Sequence, residues 1–273
     1  MSASTARHYR FPDAERIVAA RIDAPELIPH IDDFYAAYRC GRESDATIRD
    51  AIAVQRDGDD YRVSVASGDW EAETIGDAVL FYEYELTGAL LEDAAAFVHL
   101  HGAAIHDASR CMLLLGPSGA GKSTLTLGLD RAGWTALADD AVLIEPLSGE
   151  VQPFERSVRV HVASLKGLGI EALDVAGGRL CEPYLWLEPH GGERSPRRPD
   201  LVVFLDAGRA TGLEPLSVSA TLRELLTARL SDQPERDFEC LNRLASDVPG
   251  YRLAFASLSE ALAELERISA GDL

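Results

Sequence analysis

Gly116-Pro117-Ser118-Gly119-Ala120-Gly121-Lys122-Ser123-Thr124 follows an apolar run, Cys111 to Leu115, and precedes a helical pattern, Leu125 to Ala132. Strand, glycine-rich turn and helix form the setting of a phosphate-binding loop. The glycines let the backbone turn tightly and aim N–H groups at phosphate oxygens, and the new helix adds its positive end. In such a loop Lys122 reaches the β- and γ-phosphates and Ser123 ligates Mg²⁺. A glycine-rich turn that binds nothing would not need this many matched positions in these flanks. The stretch predicts nucleotide binding through Gly116 to Thr124.

Downstream, Gly133 is a helix stop. Trp134 to Glu145 then places two apolar stretches around the adjacent carboxylates Asp139 and Asp140, and Val158, Val160 and Val162 alternate as in a strand. Successive parallel strands of a doubly wound domain are separated by crossover helices. Thr135 to Val162 holds strands and turns but no convincing crossover helix. The expected fold is therefore α/β with α+β character, built on a mixed sheet beside the loop rather than on the usual GTPase, RecA-like or nucleotide-kinase architecture.

Two carboxylates in mid-strand would point to opposite faces; at a strand end or bulge both reach one site. They are either a solvated turn or the groups that hold the metal and take the acceptor's proton. The apolar neighbours Leu137, Ala138, Ala141 and Val142 favour the site, because buried ionised carboxylates need a partner such as Mg²⁺. Upstream, Val98 to Ile105 is a second apolar run with His99, His101 and His106 in or beside it. By pattern alone these are hydrogen-bonded structural histidines; a zinc site would need a third ligand that is not obvious nearby.

Residues 1–95 read as an accessory α+β domain and 96–273 as the loop-bearing domain. Pro25 to Tyr38 has apolar residues near helical spacing. Ala51 to Arg56 and Tyr61 to Ala66 flank the hairpin signal Asp57-Gly58-Asp59-Asp60, and Thr74 to Phe97 reads as a long amphipathic helix. Its aromatics Phe81, Tyr82 and Tyr84 are either a ligand platform or, more simply, core packing. Residues 164–200 are irregular, with turn signals at Gly177-Gly178 and His190-Gly191-Gly192. The segment from Glu193 to Pro199 is basic through Arg194, Arg197 and Arg198. It is either a solvated loop or a phosphate clamp. Leu201 to Leu205 is an apolar strand. Thr221 opens a helix through a capping box with Glu224, Glu235 to Ser246 forms another, Tyr251 to Phe255 is a last strand, and a final amphipathic helix carries Leu262, Leu265 and Ile268.

With 26 basic and 45 acidic residues the net charge is −19 over 273 residues, which disfavours nucleic acid and anionic membrane as partners. The four cysteines, Cys40, Cys111, Cys181 and Cys240, are far apart and form no metal-binding pair. Met1 to Arg10 lacks an apolar signal core and no run approaches spanning length, so a reducing cytoplasm is the expected compartment.

The loop, the pair His101-Gly102 fifteen residues before Gly116, and Ala138-Asp139-Asp140, whose first aspartate follows Gly116 by twenty-three residues, together resemble the catalytic domain of the HPr kinase/phosphorylase family and its divergent relatives. The resemblance covers about residues 98–145 well and the rest loosely. It implies a phosphoenolpyruvate-carboxykinase-like kinase domain, His101 near the phosphates, and one aspartate acting as general base on a hydroxyl: Asp140 as base and Asp139 on the metal side. Two departures stand out. Thr124 follows the loop serine where such kinases often have glutamate. Ser164-Leu165-Lys166-Gly167-Leu168-Gly169-Ile170 carries serine where their later signature has a glutamate near the metal.

The expected activity is Mg²⁺-dependent phosphoryl transfer from ATP, or another phosphate donor, to a serine hydroxyl on a peptide or protein, as in relatives that modify lasso peptides. Lys122, His101, Asp139 and Asp140 would be catalytic, Ser123 and Asp139 would hold Mg²⁺, and the loop with Arg197 and Arg198 would hold the donor. Two rivals stand beside it: a kinase for a small molecule such as free serine, and a nucleotide-binding regulator without catalysis. A homo-oligomer fits the resemblance, though no interface signature is visible.

Overall fold

A computed structural model describes residues 5–32, 34–41, 47–169, 178–190, 192–208 and 210–270. The chain divides into two compact units, Met1–Ala95 with Arg179–Leu185, and Ala96–Gly178 with Trp186–Leu273. No composition shift in the sequence marks the grouping of Arg179–Leu185 with the first unit. Among the described residues no helix is long and apolar enough to cross a membrane.

The first unit is one five-stranded sheet in the order β1 (Thr5–Tyr9), β2 (Arg16–Ile22), β3 (Thr47–Asp57), β4 (Asp60–Val65), β5 (Gly68–Ala72). The hairpin signal holds: β3 and β4 close with Asp57 opposite Asp60, and Gly58 takes the left-handed φ of 67° that the turn requires. Between β2 and β3 the Pro25–Tyr38 pattern gives a four-residue helix α1 (Ile28–Ile31) flanked by 3₁₀ turns, not one continuous helix. Tyr35 breaks it at φ 53°. The apolar residues Leu27, Ile31, Phe34, Tyr35 and Tyr38 are nevertheless all buried, because their spacing serves packing whether or not the backbone is helical. Helix α2 (Ile75–Asp93) starts at Thr74, whose side chain accepts from Asp77 N–H. It packs on the sheet through Val79, Tyr82, Leu86 and Leu90. Only Tyr82 of the aromatic trio is core; its hydroxyl meets that of Tyr9 at 2.9 Å. Phe81 stacks on Trp70 with centroids 4.9 Å apart, and Tyr84 is 64% exposed.

The second unit contains, in chain order, β6 (Val98–His106), β7 (Cys111–Leu115), α3 (Lys122–Arg131), β8 (Thr135–Ala138), β9 (Ala141–Ile144), β10 (Val151–Gln152), β11 (Val158–His161) and α4 (Val162–Leu165). After β12 (Arg179–Cys181) and β13 (Tyr184–Leu187) come β14 (Leu201–Ala207), β15 (Gly212–Leu216), α5 (Val218–Thr227), α6 (Pro234–Asp247), β16 (Gly250–Phe255) and α7 (Leu258–Ala270). The main sheet is mixed and eight-stranded, in the order β10-β9-β6-β7-β14-β16-β15, with β8 also on β6. The loop strand β7 is antiparallel to β6 and parallel to β14, which is parallel to β16. The expected mixed sheet, with no crossover helix between β8 and β11, is thus observed; α5 and α6 lie between the parallel neighbours β14 and β16 further on.

One face of this sheet carries Ala103, Ile105, Met112, Leu114, Val203, Leu205, Leu253 and Phe255, packed on Leu125 and Leu129 of α3 and Leu265 and Ile268 of α7. Each such buried side chain contributes about 1.5–3 kcal/mol. Strand alternation sends Phe204 and Asp206 to the other face. Arg252 lies there too, directly beside Phe204 in register.

Helix α5 starts four residues earlier than the capping-box reading had it. Ser217, not Thr221, is the cap, accepting from Ala220 N–H. Thr221 is buried, and a Cβ on Gly250 would lie 2.2 Å from its hydroxyl. The connection from α5 to α6 runs beside the first half of β6. Ala228 O accepts from His101 N–H at 2.7 Å and Leu230 N–H donates to His99 O at 2.8 Å. Buried Asp237 ties the connection down by accepting from Ser231 Oγ, Gln233 N–H, Arg229 and Arg236. Gly177, Gly191 and Ile170, which fall in predicted turns or in the Ser164–Ile170 match, lie outside the described residues; Ser164 is in α4.

Candidate phosphotransfer site

The loop from Gly116 to Gly121 leaves the end of β7 and enters α3. Gly121, the N-cap, has φ 91°, and a Cβ there would come within 2.6 Å of Leu258. At φ 149°, Gly116 lies where a Cβ would be 3.0 Å from Leu205 O. Both positions therefore require glycine. Gly121 has no side chain to cap the first-turn N–H groups of α3, which leaves them directed at an anion. Pro117, Ser118 and Gly119 are exposed at the crest.

Lys122 is buried and folds back over the start of the loop. Its ammonium donates to Gly116 O at 2.8 Å, Pro117 O at 3.1 Å and His101 Nε2 at 3.0 Å. Burial lowers its pKa, and Asp140 and Asp139 oppose that shift. With Nε2 accepting, the ring proton of His101 sits on Nδ1, which donates to Asp140 O at 3.0 Å. The ring lies between the loop lysine and the aspartate pair, so His101 holds a place in the site that its strand pattern alone did not give it.

The aspartates occupy a break in one edge. β6 pairs with β9 over Val98–His101 and with β8 over Ala104–His106, both antiparallel. Asp139 and Asp140 bridge from one partner to the other, and Asp140 makes the jump at φ 69°. An L-residue tolerates this conformation poorly, though aspartate does so better than most. The break turns both carboxylates toward the site. Asp139 is 3% exposed, and its carboxyl pKa is raised to about 6 by burial, against the pull of Arg156. It bonds Ser123, and its Oδ1 has no hydrogen-bond partner. Burial also raises the pKa of Asp140, but Arg156, Arg159 and His101 outweigh it and hold the carboxyl below the usual range. Arg156 donates to Asp140 Oδ2 at 3.2 Å.

An orphaned buried carboxylate oxygen beside the loop serine fits a hard divalent cation. Ser123 and Asp139 would hold Mg²⁺, and the cation would supply charge neutralisation at the phosphates. Among the described residues no three His, Cys, Asp or Glu side chains cluster as a metal site.

Two arginines were predicted in the wrong place. Arg197 pairs its backbone with Val151 on the edge strand β10, and its charge acts on Cys111, at the end of β7 remote from the loop. Arg198 is ion-paired to Asp247 at 2.6 Å. Arg194 is tied to Glu155 at 2.6 Å. The cations that do reach the aspartates are Arg156 and Arg159. They arrive because Phe154 bridges Ala138, a long-range contact with no local signal beyond two arginines flanking an alternating strand.

On the opposite face of the sheet a cavity of ≈ 350 Å³ adjoins the loop. It is lined by Gly116 to Ala120, Phe204 to Ala207, Glu224 and Arg252. The strand reading ended at Leu205, one residue short of Asp206.

No protein-family model matches the chain, and no curated protein matches it. Among solved structures it is similar to the structure of the Hpr(Ser) kinase/phosphatase from Coxiella burnetii. The TM-score is 0.30 and the identity 10%, over 63% of this chain and 98% of that chain.

Proposed function

We propose that the chain is a Mg²⁺-dependent phosphotransferase that moves the γ-phosphoryl group of ATP to a serine-type hydroxyl. One observation carries the reading: Lys122, His101, Asp139 and Asp140 form a contiguous polar cluster at the loop, linked by the contacts from Lys122 to His101 and from His101 to Asp140. Phosphoryl transfer needs little covalent help from a protein beyond position and charge. Loop N–H groups and Lys122 hold the phosphates. His101 fixes the lysine and the Asp140 backbone together. Asp140, kept ionised by Arg156, receives the hydroxyl proton as the oxygen attacks phosphorus and ADP departs. Asp139 and Ser123 form the metal side.

The test is transfer of labelled phosphate from ATP to serine-containing peptides, proteins and free hydroxy-amino acids. Full transfer by both Asp139→Asn and Asp140→Asn would sink the mechanism. Nucleotide binding without turnover on any acceptor would make the chain a regulator instead. Peptide or protein serine is the acceptor class implied by the resemblance.

A further inference from the structure

A small cavity of ≈ 10 Å³ lies beside Asp139, with Ala138, Phe154, Arg156, Pro189 and Arg194 among its other walls. One water molecule needs about 10–15 Å³ of such space and roughly two to four polar partners. Two wall residues supply partners. Asp139 Oδ1 and Arg194 Nε are both buried, and neither has a hydrogen-bond partner among the described residues. One is an acceptor and the other a donor, so a single water that donates to Asp139 and accepts from Arg194 satisfies both. Without it each group would bear the full cost of its desolvation.

Arg194 is held firmly enough to serve as a fixed wall. Its Nη1 donates to Glu155 Oε2 at 2.6 Å. One residue earlier, Glu193 O lies 3.1 Å from His106 Nε2. At His190 the backbone N–H reaches both carboxylate oxygens of Asp130 at 3.0 Å, and ring Nδ1 lies 2.5 Å from Asp130 Oδ2. Asp130 is buried in α3, the helix that follows the phosphate loop, and His106 is buried at the end of β6, the strand that carries His101. The residues around Arg194 are therefore tied to the same two elements that build the site, which is the support a precisely placed group requires.

We infer that this cavity is a one-water site and that Arg194 is a positioning residue, which through that water holds the Asp139 carboxylate in the orientation it presents to Ser123. Asp140 has Arg156 to hold it. Asp139 has its hydrogen bond from Ser123, a residue that must also serve the cation, so a second hold from the far side fixes its plane. A carboxylate oxygen has room for more than one partner, so Oδ1 can accept from the water and still face a cation. The water site stands on the geometry alone. The role of Arg194 rests on the proposed phosphotransfer, in which Asp139 forms the metal side, and deepens it.

The test starts with a crystal structure of the full chain at a resolution that shows ordered water. The expected result is one water about 2.7–3.2 Å from both Asp139 Oδ1 and Arg194 Nε. A cavity without a water, or a water bonded to only one of the two atoms, would overturn the site. Two variants then test the role. Glutamine at 194 puts an amide nitrogen where Nε lies, and methionine puts a methyl group there. Both lose the bond to Glu155, so that loss is common to them. Mg²⁺ affinity is measured by calorimetry in the presence of a non-hydrolysable ATP analogue. Arg194→Met should weaken it about tenfold, the worth of one hydrogen bond, while Arg194→Gln stays within about threefold of the unaltered chain. Equal losses in the two variants, or no loss in Arg194→Met, would rule out the positioning role. Failure of the unaltered chain to bind Mg²⁺ with the analogue would overturn the phosphotransfer reading and the positioning role together, and the crystal structure alone would then decide the water site.

Discussion

The loop separates two polar clusters that differ in how tightly they are held. On the face toward α3, Asp139 is 3% exposed and the Arg156 side chain 2% exposed, while the His101 and Asp140 side chains beside them at the split edge of β6 are 32% and 37% exposed. On the other face, Asp206, Glu224 and Arg252 line an open cavity, where Arg252 donates to Glu224 at 2.8 Å. A fixed constellation suits chemistry, in which position carries most of the rate. A half-exposed ion pair suits exchange, because its partners can be traded for a ligand's charges at small cost.

The contrast can be broken most sharply at Asp140. Asp140→Asn should lower transfer by about 10²–10⁴-fold, the range for loss of a general base, with nucleotide affinity nearly unchanged. Initial rates and equilibrium nucleotide binding check it.

Asp237 tests whether the support of β6 matters. Burial raises its pKa, but bonds from Ser231, Arg236 and Gln233 outweigh that and leave it below the usual carboxylate range. Its contribution is therefore present above the ordinary carboxylate pKa and lost as pH falls through the depressed value. Asp237→Asn should cost about 1–3 kcal/mol at neutral pH and flatten that acid limb, because the buried carboxylate accepts charge-assisted bonds from Arg229 and Arg236, whose side chains are 27% and 30% exposed. Denaturant melts across pH measure both.

Asp139 should behave in the opposite sense. Its pKa rises from 3.8 to about 6, so ionisation opposes folding: stability is greatest below the unfolded value and declines as pH rises toward about 6. Without Mg²⁺, Asp139→Asn should stabilise the protein by about 2–3 kcal/mol at pH 7 and abolish that decline, while transfer is lost. Thermal melts with and without Mg²⁺ distinguish this from a neutral substitution. The smallest effect is expected at His101. His101→Gln should cost about 1 kcal/mol of stability, below the roughly 1.5–3 kcal/mol of a full hydrogen bond to a charged group because the ring is 32% exposed and the amide can replace one contact, and melts with activity assays would show whether Lys122 is still held.

Much of the face toward α3 was legible because its signals are local. The loop, the apolar runs of β6 and β7 and the paired aspartates lie within 48 consecutive residues, 98–145, and the missing crossover helix pointed correctly to a mixed sheet. What the reading missed depends on contacts distant in sequence. Arg156 is buried against Asp140 through the Phe154–Ala138 bridge. Arg197 and Arg198 looked like a clamp by charge alone, yet chain pairing at Val151 and Asp247 holds them elsewhere. Asp206 had a local signal, an acid ending an apolar strand, but only the pairing of that strand with β7 over Leu201 to Phe204 brings it beside the loop.

When β7 turns up into the loop, the first half of β6 loses that neighbour, and an uncovered strand of apolar residues would be a template for pairing with another molecule. The chain from Ala228 to Leu230 fills the vacant side, bonding His99 and His101. That edge is therefore covered independently of the loop, and substitutions that loosen the 228–230 segment should surface first as aggregation.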